Sequence, residues 1–208
     1  MRWSLLAICI CVGLAGCSGG SKKTYFSTRG LKAPAVQCTV NPHSVAVAEP
    51  IREIDERNGC QVRNAWKVSA VSGVAFSRPA TLNCGMIGPL DEWITHSVQP
   101  AAQRRFGESV VAVDVVASYS CRPQNGRRGA KMSEHGFGNA VDIASFTLES
   151  GRKIEVEQGY FSWGGEKSFV KEIEDGACAD FNTVLGPGDD HHDDHLHLDR
   201  ANRRKKLC

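Results

Sequence analysis

Five of the seven histidines in the chain fall in two short stretches, Ser133-Glu134-His135-Gly136-Phe137-Gly138-Asn139-Ala140-Val141-Asp142 and His191-His192-Asp193-Asp194-His195-Leu196-His197-Leu198-Asp199. Imidazole and carboxylate at this density match the ligand set of a catalytic zinc site, so the fold has to bring the two stretches together. If His195 to Asp199 is a β-strand, His195 and His197 point one way while Leu196 and Leu198 point into a core. His135 and Asp142 are the candidates for the remaining ligands. Between them Gly136, Gly138 and Ala140 are small enough for a tight bend and for a metal and substrate to come close. His135, Asp142 and one histidine of the tandem pair make three protein ligands and leave a position open for water, the catalytic rather than the structural zinc pattern. A His-Asp-rich run alone would suit a solvated loop or an adventitious metal-binding tract equally well. The glycine-spaced partner stretch is what singles out a site. His43 and His96 have no such partners and read as structural or surface residues.

The N-terminus carries Arg2, an apolar run from Leu5 to Leu14, and Leu14-Ala15-Gly16-Cys17. A positive n-region before a short apolar run and small residues is a secretory signal, too short to span a membrane as a helix. Its ending resembles a bacterial lipobox, which implies cleavage after residue 16 and a lipid on Cys17. Residues 17–37, with glycine, serine, lysine and threonine and little periodicity, read as a flexible tether. The expectation is a domain over residues 38–208 held by lipid to a membrane on the periplasmic face of a bacterial cell envelope.

Of nine cysteines, Cys9, Cys11 and Cys17 belong to the leader, leaving Cys38, Cys60, Cys84, Cys121, Cys178 and Cys208. An even set of six in an exported domain implies up to three disulfides. These cysteines are scattered singly, without the Cys-x-x-Cys spacing of zinc thiolate sites, so metal ligation by them is not expected.

The length suits one domain, with no internal repeat, expected as a monomer. Val68 to Phe76 has the β-branched character of a strand with a glycine at a turn or bulge. Thr81 to about Arg105 spaces Leu82, Met86, Leu90, Trp93, Ile94 and Val98 as a helix, which Pro89 and Pro100 have to kink or cap. Trp93 reads as core. Ser109 to Ser118 reads as a central strand leading to Arg122, whose guanidinium near a zinc site could fork onto a substrate carboxylate or steady an oxyanion. Gln124 to Lys131 is a basic loop, 140–148 and 153–157 a hairpin, and Gly165 to Gly176 a helix with Phe169, Val170 and Ile173 on one face. The run Arg203-Arg204-Lys205-Lys206 could contact an anionic membrane or cell-wall polymer, and more often such a run is only a solvated end. With 25 Lys and Arg against 23 Asp and Glu, and no interleaving of basic and aromatic residues, nucleic acid is not an expected partner.

The pattern Ser-x-His-x-x-Gly-x-Ala-x-Asp followed by His-x-His resembles the zinc peptidase superfamily of lysostaphin-type, D-Ala-D-Ala-cleaving and hedgehog-like domains. Ser118-Tyr119-Ser120-Cys121-Arg122 is similar to the Ser-Gly-Tyr-Arg segment of its D-Ala-D-Ala branch. The overall layout resembles the bacterial extensin-like C-terminal domain family. The resemblance implies an α+β fold with a central antiparallel sheet as the floor of a zinc cleft, flanked by helices and stapled by disulfides, with Cys38 to Cys208 joining its ends. It implies zinc on His135, Asp142 and His197, and His195 as base, with His192 assisting. His192-x-x-His195-x-His197 is similar to the penicillin-insensitive murein endopeptidase branch. The carboxypeptidase branch would instead make Asp194 the base, although strand parity turns Asp194 away from His197. The implied substrate is the cross-link peptide of peptidoglycan, cut by metal-activated water. The alternatives are a D-Ala-D-Ala carboxypeptidase and a non-catalytic, zinc-stabilised wall-binding domain.

Overall fold

The computed structural model describes residues 36–208, so the signal sequence, the lipobox cysteine Cys17 and nearly all of the tether lie outside the described residues. The helix α1 (Pro42–Val45) leads into strands β1 (Ala46–Pro50), β2 (Ile54–Asp55), β3 (Gln61–Val62), β4 (Ala65–Val71) and β5 (Val74–Asn83). Helix α2 (Ile87–Trp93), a π-helical turn (Ile94–Val98) and α3 (Gln99–Phe106) follow, then β6 (Val110–Ala117), β7 (Ala140–Leu148), β8 (Lys153–Glu155), α4 (Val156–Phe161), α5 (Gly165–Ala177), β9 (Thr183–Leu185) and β10 (Leu196–Asp199). Eight strands form one sheet in the order β1-β4-β5-β6-β7-β10-β9 with β8 also on β7, while β2 and β3 pair separately. The result is an α+β fold with one large sheet.

The sheet is mixed, not antiparallel throughout as expected. β5 and β6 run parallel, because the helical segment between them carries the chain back across the sheet before β6 begins. The stretch expected as one strand over Val68 to Phe76 is two strands turning at Ser72-Gly73, both at positive φ (51° and 77°), the twist a tight hairpin requires. The helix expected from Thr81 starts only at Ile87. Thr81 and Leu82 pair with Lys67 and Trp66 of β4, so tertiary pairing overrides their helical spacing. Pro89 sits in the first turn of α2, where its missing N–H costs nothing, and Pro100 is the second residue of α3, just after the π-helical turn. The hairpin of β7 and β8 forms as expected but ends at Glu155, where α4 takes over.

The helices bury the apolar face of the sheet. Trp93 is fully buried, packs edge-on against Phe146 and Phe181 at 6.1 and 6.3 Å, and donates its indole N–H to the Ile173 carbonyl of α5 at 2.8 Å. Along β7 the register runs Val113↔Phe146, Asp114↔Ser145, then Val115↔Ile143, which leaves Ala144 as an extra residue. This bulge reverses the alternation of side chains. Phe146 and Ile143 both face the helices, and Asp142 turns to the opposite side.

Among the described residues two disulfides staple the fold, Cys38–Cys84 and Cys60–Cys121. The expected Cys38–Cys208 closure is therefore overturned: Cys38 instead ties the segment before α1 to the turn that opens α2. Cys178 and Cys208 are thiols. The C-terminal basic run is not simply solvated either. Lys206 Nζ donates to the carbonyls of Cys178 and Ala179 at the end of α5 at 2.7 and 2.8 Å, and Arg203 Nε donates to Thr183 Oγ1 at 2.7 Å. No helix among the described residues is long and apolar enough to cross a membrane.

Candidate metal centre

The two histidine-rich stretches meet on the sheet face opposite the helices. In β10, Leu196 and Leu198 are fully buried in the core, opposite Ile143 and Val141 of β7, while His197 faces the other way and pairs directly with Asp142. His135 arrives from a one-turn 3₁₀ helix, Glu134–Phe137, capped by the Ser133 side chain, which accepts from the His135 backbone N–H at 3.4 Å.

Three ligand atoms converge there. His135 Nε2 lies 3.2 Å from Asp142 Oδ2 and 3.2 Å from His197 Nδ1, and His197 Nδ1 lies 2.8 Å from Asp142 Oδ1. All three residues are buried, and together they form a group able to hold a metal ion. The far nitrogen of each ring is already committed. His135 Nδ1 lies 2.6 Å from the Ser118 carbonyl, which can only accept, so that nitrogen carries the proton and Nε2 presents a lone pair. His197 Nε2 lies 3.1 Å from Asp199 Oδ2, which likewise directs its Nδ1 towards Asp142. The His135 lone pair and the Asp142 carboxylate oxygen are thus two acceptors facing one another. A cation shared between them would satisfy both. Ligands about 2.0–2.1 Å from a tetrahedral ion stand about 3.3 Å apart, close to the two 3.2 Å separations of His135 Nε2, whereas His197 Nδ1 and Asp142 Oδ1 at 2.8 Å are at hydrogen-bond distance.

Without metal, a proton held on His197 bridges the two carboxylates beside it. Burial alone would lower the basicity of His197, but hydrogen bonds and attraction from Asp142 and Asp199 outweigh it and push its pKa to about 9. Burial likewise favours neutral Asp142, yet the His135 and His197 imidazoles beside it hold it well below the ordinary carboxylate range. Asp199 is also lowered, its burial overcome by hydrogen bonds from His197 and Thr183.

A cleft of about 470 Å³ opens over this cluster, lined among others by Arg122, Glu134, His192, His195 and Arg203. His195, one residue before β10, lies with Nε2 3.7 Å from Asp142 Oδ2 and with Nδ1 2.7 Å from Asp194 Oδ1. Asp194 therefore touches His195, not the three converging atoms, and is itself largely exposed (76%). His192 places Nδ1 2.7 Å from the Asp190 carbonyl, and its ring centre lies 5.2 Å from that of His195. Burial lowers its pKa, which favours the neutral ring.

Cys60–Cys121 fastens the segment that leads from β6 to Arg122. Gly136 and Gly138 are required by protein contacts, not by room for metal or substrate as expected. A Cβ on Gly136 would stand 3.0 Å from Cys60 Sγ, and one on Gly138 2.7 Å from Val62 Cγ1. His43 stacks edge-on against Trp66 and His96 pairs with Glu92, both away from the cleft. Sequence reasoning missed Asp199, Glu134 and Arg203 as parts of the site. Asp199 was within reach, since the alternation that aligns His195 with His197 continues to it. Burial pushes the Glu134 carboxyl up, against a hydrogen bond from Asn139 Nδ2 at 2.6 Å, and nothing in its sequence surroundings marks that environment.

Fold and cluster define an α+β domain built around a buried His-Asp-His group on one sheet face. Residues 36–208 match the extensin-like protein C-terminus family, and the chain belongs to that family. No curated protein and no solved structure matches it.

Proposed function

We propose that this domain is a zinc-dependent peptidase that hydrolyses the cross-link peptides of peptidoglycan, of the kind found in the superfamily of lysostaphin-type and D-Ala-D-Ala-cleaving enzymes and nearest to its murein endopeptidase branch. The observation that carries the reading is the convergence of His135 Nε2, Asp142 and His197 Nδ1, each ring held from behind by an acceptor, beside a third, carboxylate-held imidazole in an open cleft. Zinc bound by these three residues would activate water and polarise the scissile carbonyl. His195, its Nδ1–H anchored on Asp194, accepts the proton of the attacking water at Nε2 and returns it to the leaving amine as the C–N bond breaks. Asp194 steadies the imidazolium in between and acts as a positioning residue. His192, kept neutral by burial, assists as a hydrogen-bonding group. Arg122 offers a forked donor to a substrate carboxylate or to the developing oxyanion. A lipid on Cys17 and a tether would hold the domain to a membrane while it reaches the wall.

The experiment is to incubate the domain with purified cross-linked muropeptide dimers and with monomeric pentapeptides. Dimers should become monomers in a chelator-sensitive way, with little free D-alanine. Trimming of pentapeptides with dimers left intact would transfer the reading to a carboxypeptidase, and binding to sacculi with no cleavage would leave a metal-stabilised wall-binding domain.

Metal binding has a pH signature. His197 must give up its Nδ1 proton to become a ligand, and that proton leaves the metal-free protein only near pH 9. At pH 7 zinc uptake should therefore release about one proton, and apparent affinity should rise roughly tenfold per pH unit until it levels off near that value. The metal-free fold carries the opposite dependence: the stability contributed by charged His197 is complete below its ordinary value of 6.5 and fades as pH rises through about 9. Calorimetry in buffers of different ionisation enthalpy measures the released proton. Zinc uptake with no proton exchange at pH 7 would show that no protonated imidazole becomes a ligand.

A further inference from the structure

Cys178 and Cys208 stand apart from the cleft and from both disulfides. Cys178 caps the C-terminal end of α5 and is half-buried, while Cys208 is exposed. The segment that carries Cys208 is fixed to the fold. Leu207 bridges in parallel to Thr183, Val184 N–H donates to the Leu207 carbonyl at 2.8 Å, and Leu207 N–H donates to the Asn182 carbonyl at 2.9 Å. Lys206 adds two bonds to the carbonyls of Cys178 and Ala179. These contacts bring residue 208 to the corner where α5 ends, and Cys178 and Cys208 line the same small cleft with Tyr160, Val184 and Pro187. Burial first, and then the hydrogen-bonded Cys208 thiol, push the Cys178 thiol up to about 12.

We propose that Cys178 and Cys208 are the two halves of a third disulfide, closed by thiol–disulfide exchange with an external disulfide donor, which clips the 200–208 segment to α5. The exposed Cys208 reacts first. Its thiolate attacks one sulfur of the donor, the donor S–S bond breaks, one donor thiolate leaves, and Cys208 carries a mixed disulfide. Cys178 then loses its proton to solvent and attacks the Cys208 sulfur, releasing the second donor thiolate. Two protein thiols and one donor disulfide thus become one protein disulfide and two donor thiols, with two electrons passing to the donor. The order follows from accessibility, because a buried, neutral thiol is a poor first nucleophile. The bond would matter for the cleft, since the bridge at Leu207 supports β9, which flanks the His197 strand.

The test uses the full chain equilibrated with oxidised and reduced glutathione, digested without reduction and mapped by mass spectrometry. A Cys178–Cys208 linked peptide alongside the Cys38–Cys84 and Cys60–Cys121 peptides is the expected result. Both thiols remaining open to alkylation while the other two bonds are intact would overturn the proposal, as would either of them pairing elsewhere. Cys178→Ser should trap glutathione on Cys208, whereas Cys208→Ser should leave Cys178 unmodified; glutathione on Cys178 instead would overturn the order of attack. In oxidising buffer Cys208→Ser should melt roughly 6–12 °C below the unsubstituted protein, with the difference vanishing once the clip is reduced. An equal melting temperature in oxidising buffer would show that no clip forms. None of these readouts depends on zinc or on turnover.

Discussion

Alanine at His135, Asp142 or His197 is expected to remove bound zinc, and alanine at His195 to leave the metal in place while cutting turnover of muropeptide dimers about 10²–10⁴-fold. The separation follows from which atoms converge. His135 Nε2 lies 3.2 Å from Asp142 Oδ2 and from His197 Nδ1, and His197 Nδ1 2.8 Å from Asp142 Oδ1, whereas His195 Nε2 approaches Asp142 only to 3.7 Å and its other nitrogen is committed to Asp194. Losing one ligand of three should weaken zinc binding by more than the roughly 10–100-fold typical of a residue that merely holds a ligand, and Asp199→Asn should fall inside that lower range. Metal content and turnover measured on the same preparations decide the matter. If all four alanine variants lost zinc alike, the division between ligands and base would fail.

Gly138→Ala is expected to destabilise the fold by roughly 2–5 kcal/mol, the sum of a left-handed backbone cost and a steric one. Gly138 sits at φ 59°, and the added Cβ would meet Val62 Cγ1 at 2.7 Å and the backbone nitrogen of Asn83 at 2.9 Å. That nitrogen donates to the Gly138 carbonyl at 2.8 Å, so the two segments cannot separate without losing the bond. Gly151 is the control. Its φ is 85° but a Cβ there meets nothing within 4 Å, so Gly151→Ala should cost only the backbone part, about 1–2 kcal/mol. Denaturant unfolding of both variants gives the comparison. Equal losses would mean that the contact at Gly138 relaxes freely. Because Gly138 lies in the turn between His135 and Asp142, its variant should also bind zinc more weakly.

The features legible in the sequence were those with a local period. His195 and His197 share a side because Leu196 and Leu198 claim the core, and α5 was readable from Phe169, Val170 and Ile173. Features set by distant pairing were not. The Ala144 bulge leaves no mark in composition, yet it lets Asp142 face His197 while Phe146 and Ile143 face the helices. Leu82 and Met86 kept a helical spacing that β4 overruled at Thr81 and Leu82. The partner of Cys38 could not be chosen among five other cysteines without knowing where the turn at Cys84 would lie. The two glycines were recognised as necessary, but the neighbours that require them, Cys60 and Val62, lie far away in the chain.

The placement of β10 between β7 and β9 sets an order for making the protein. While the chain is emerging, β6 and β7 are complete long before residue 196, and the Ala140–Ile143 edge of β7 has no strand beside it until β10 arrives. During that interval Asp142 and His135 are present without His197, and an open β edge stands exposed to any neighbouring chain. The His135-Asp142-His197 group comes into being only when the sheet closes, so a metal it takes up would be loaded after folding and could not guide its early stages. Truncation before Leu196 would leave the β7 edge open and β9 without the strand it pairs with, a form suited to self-association.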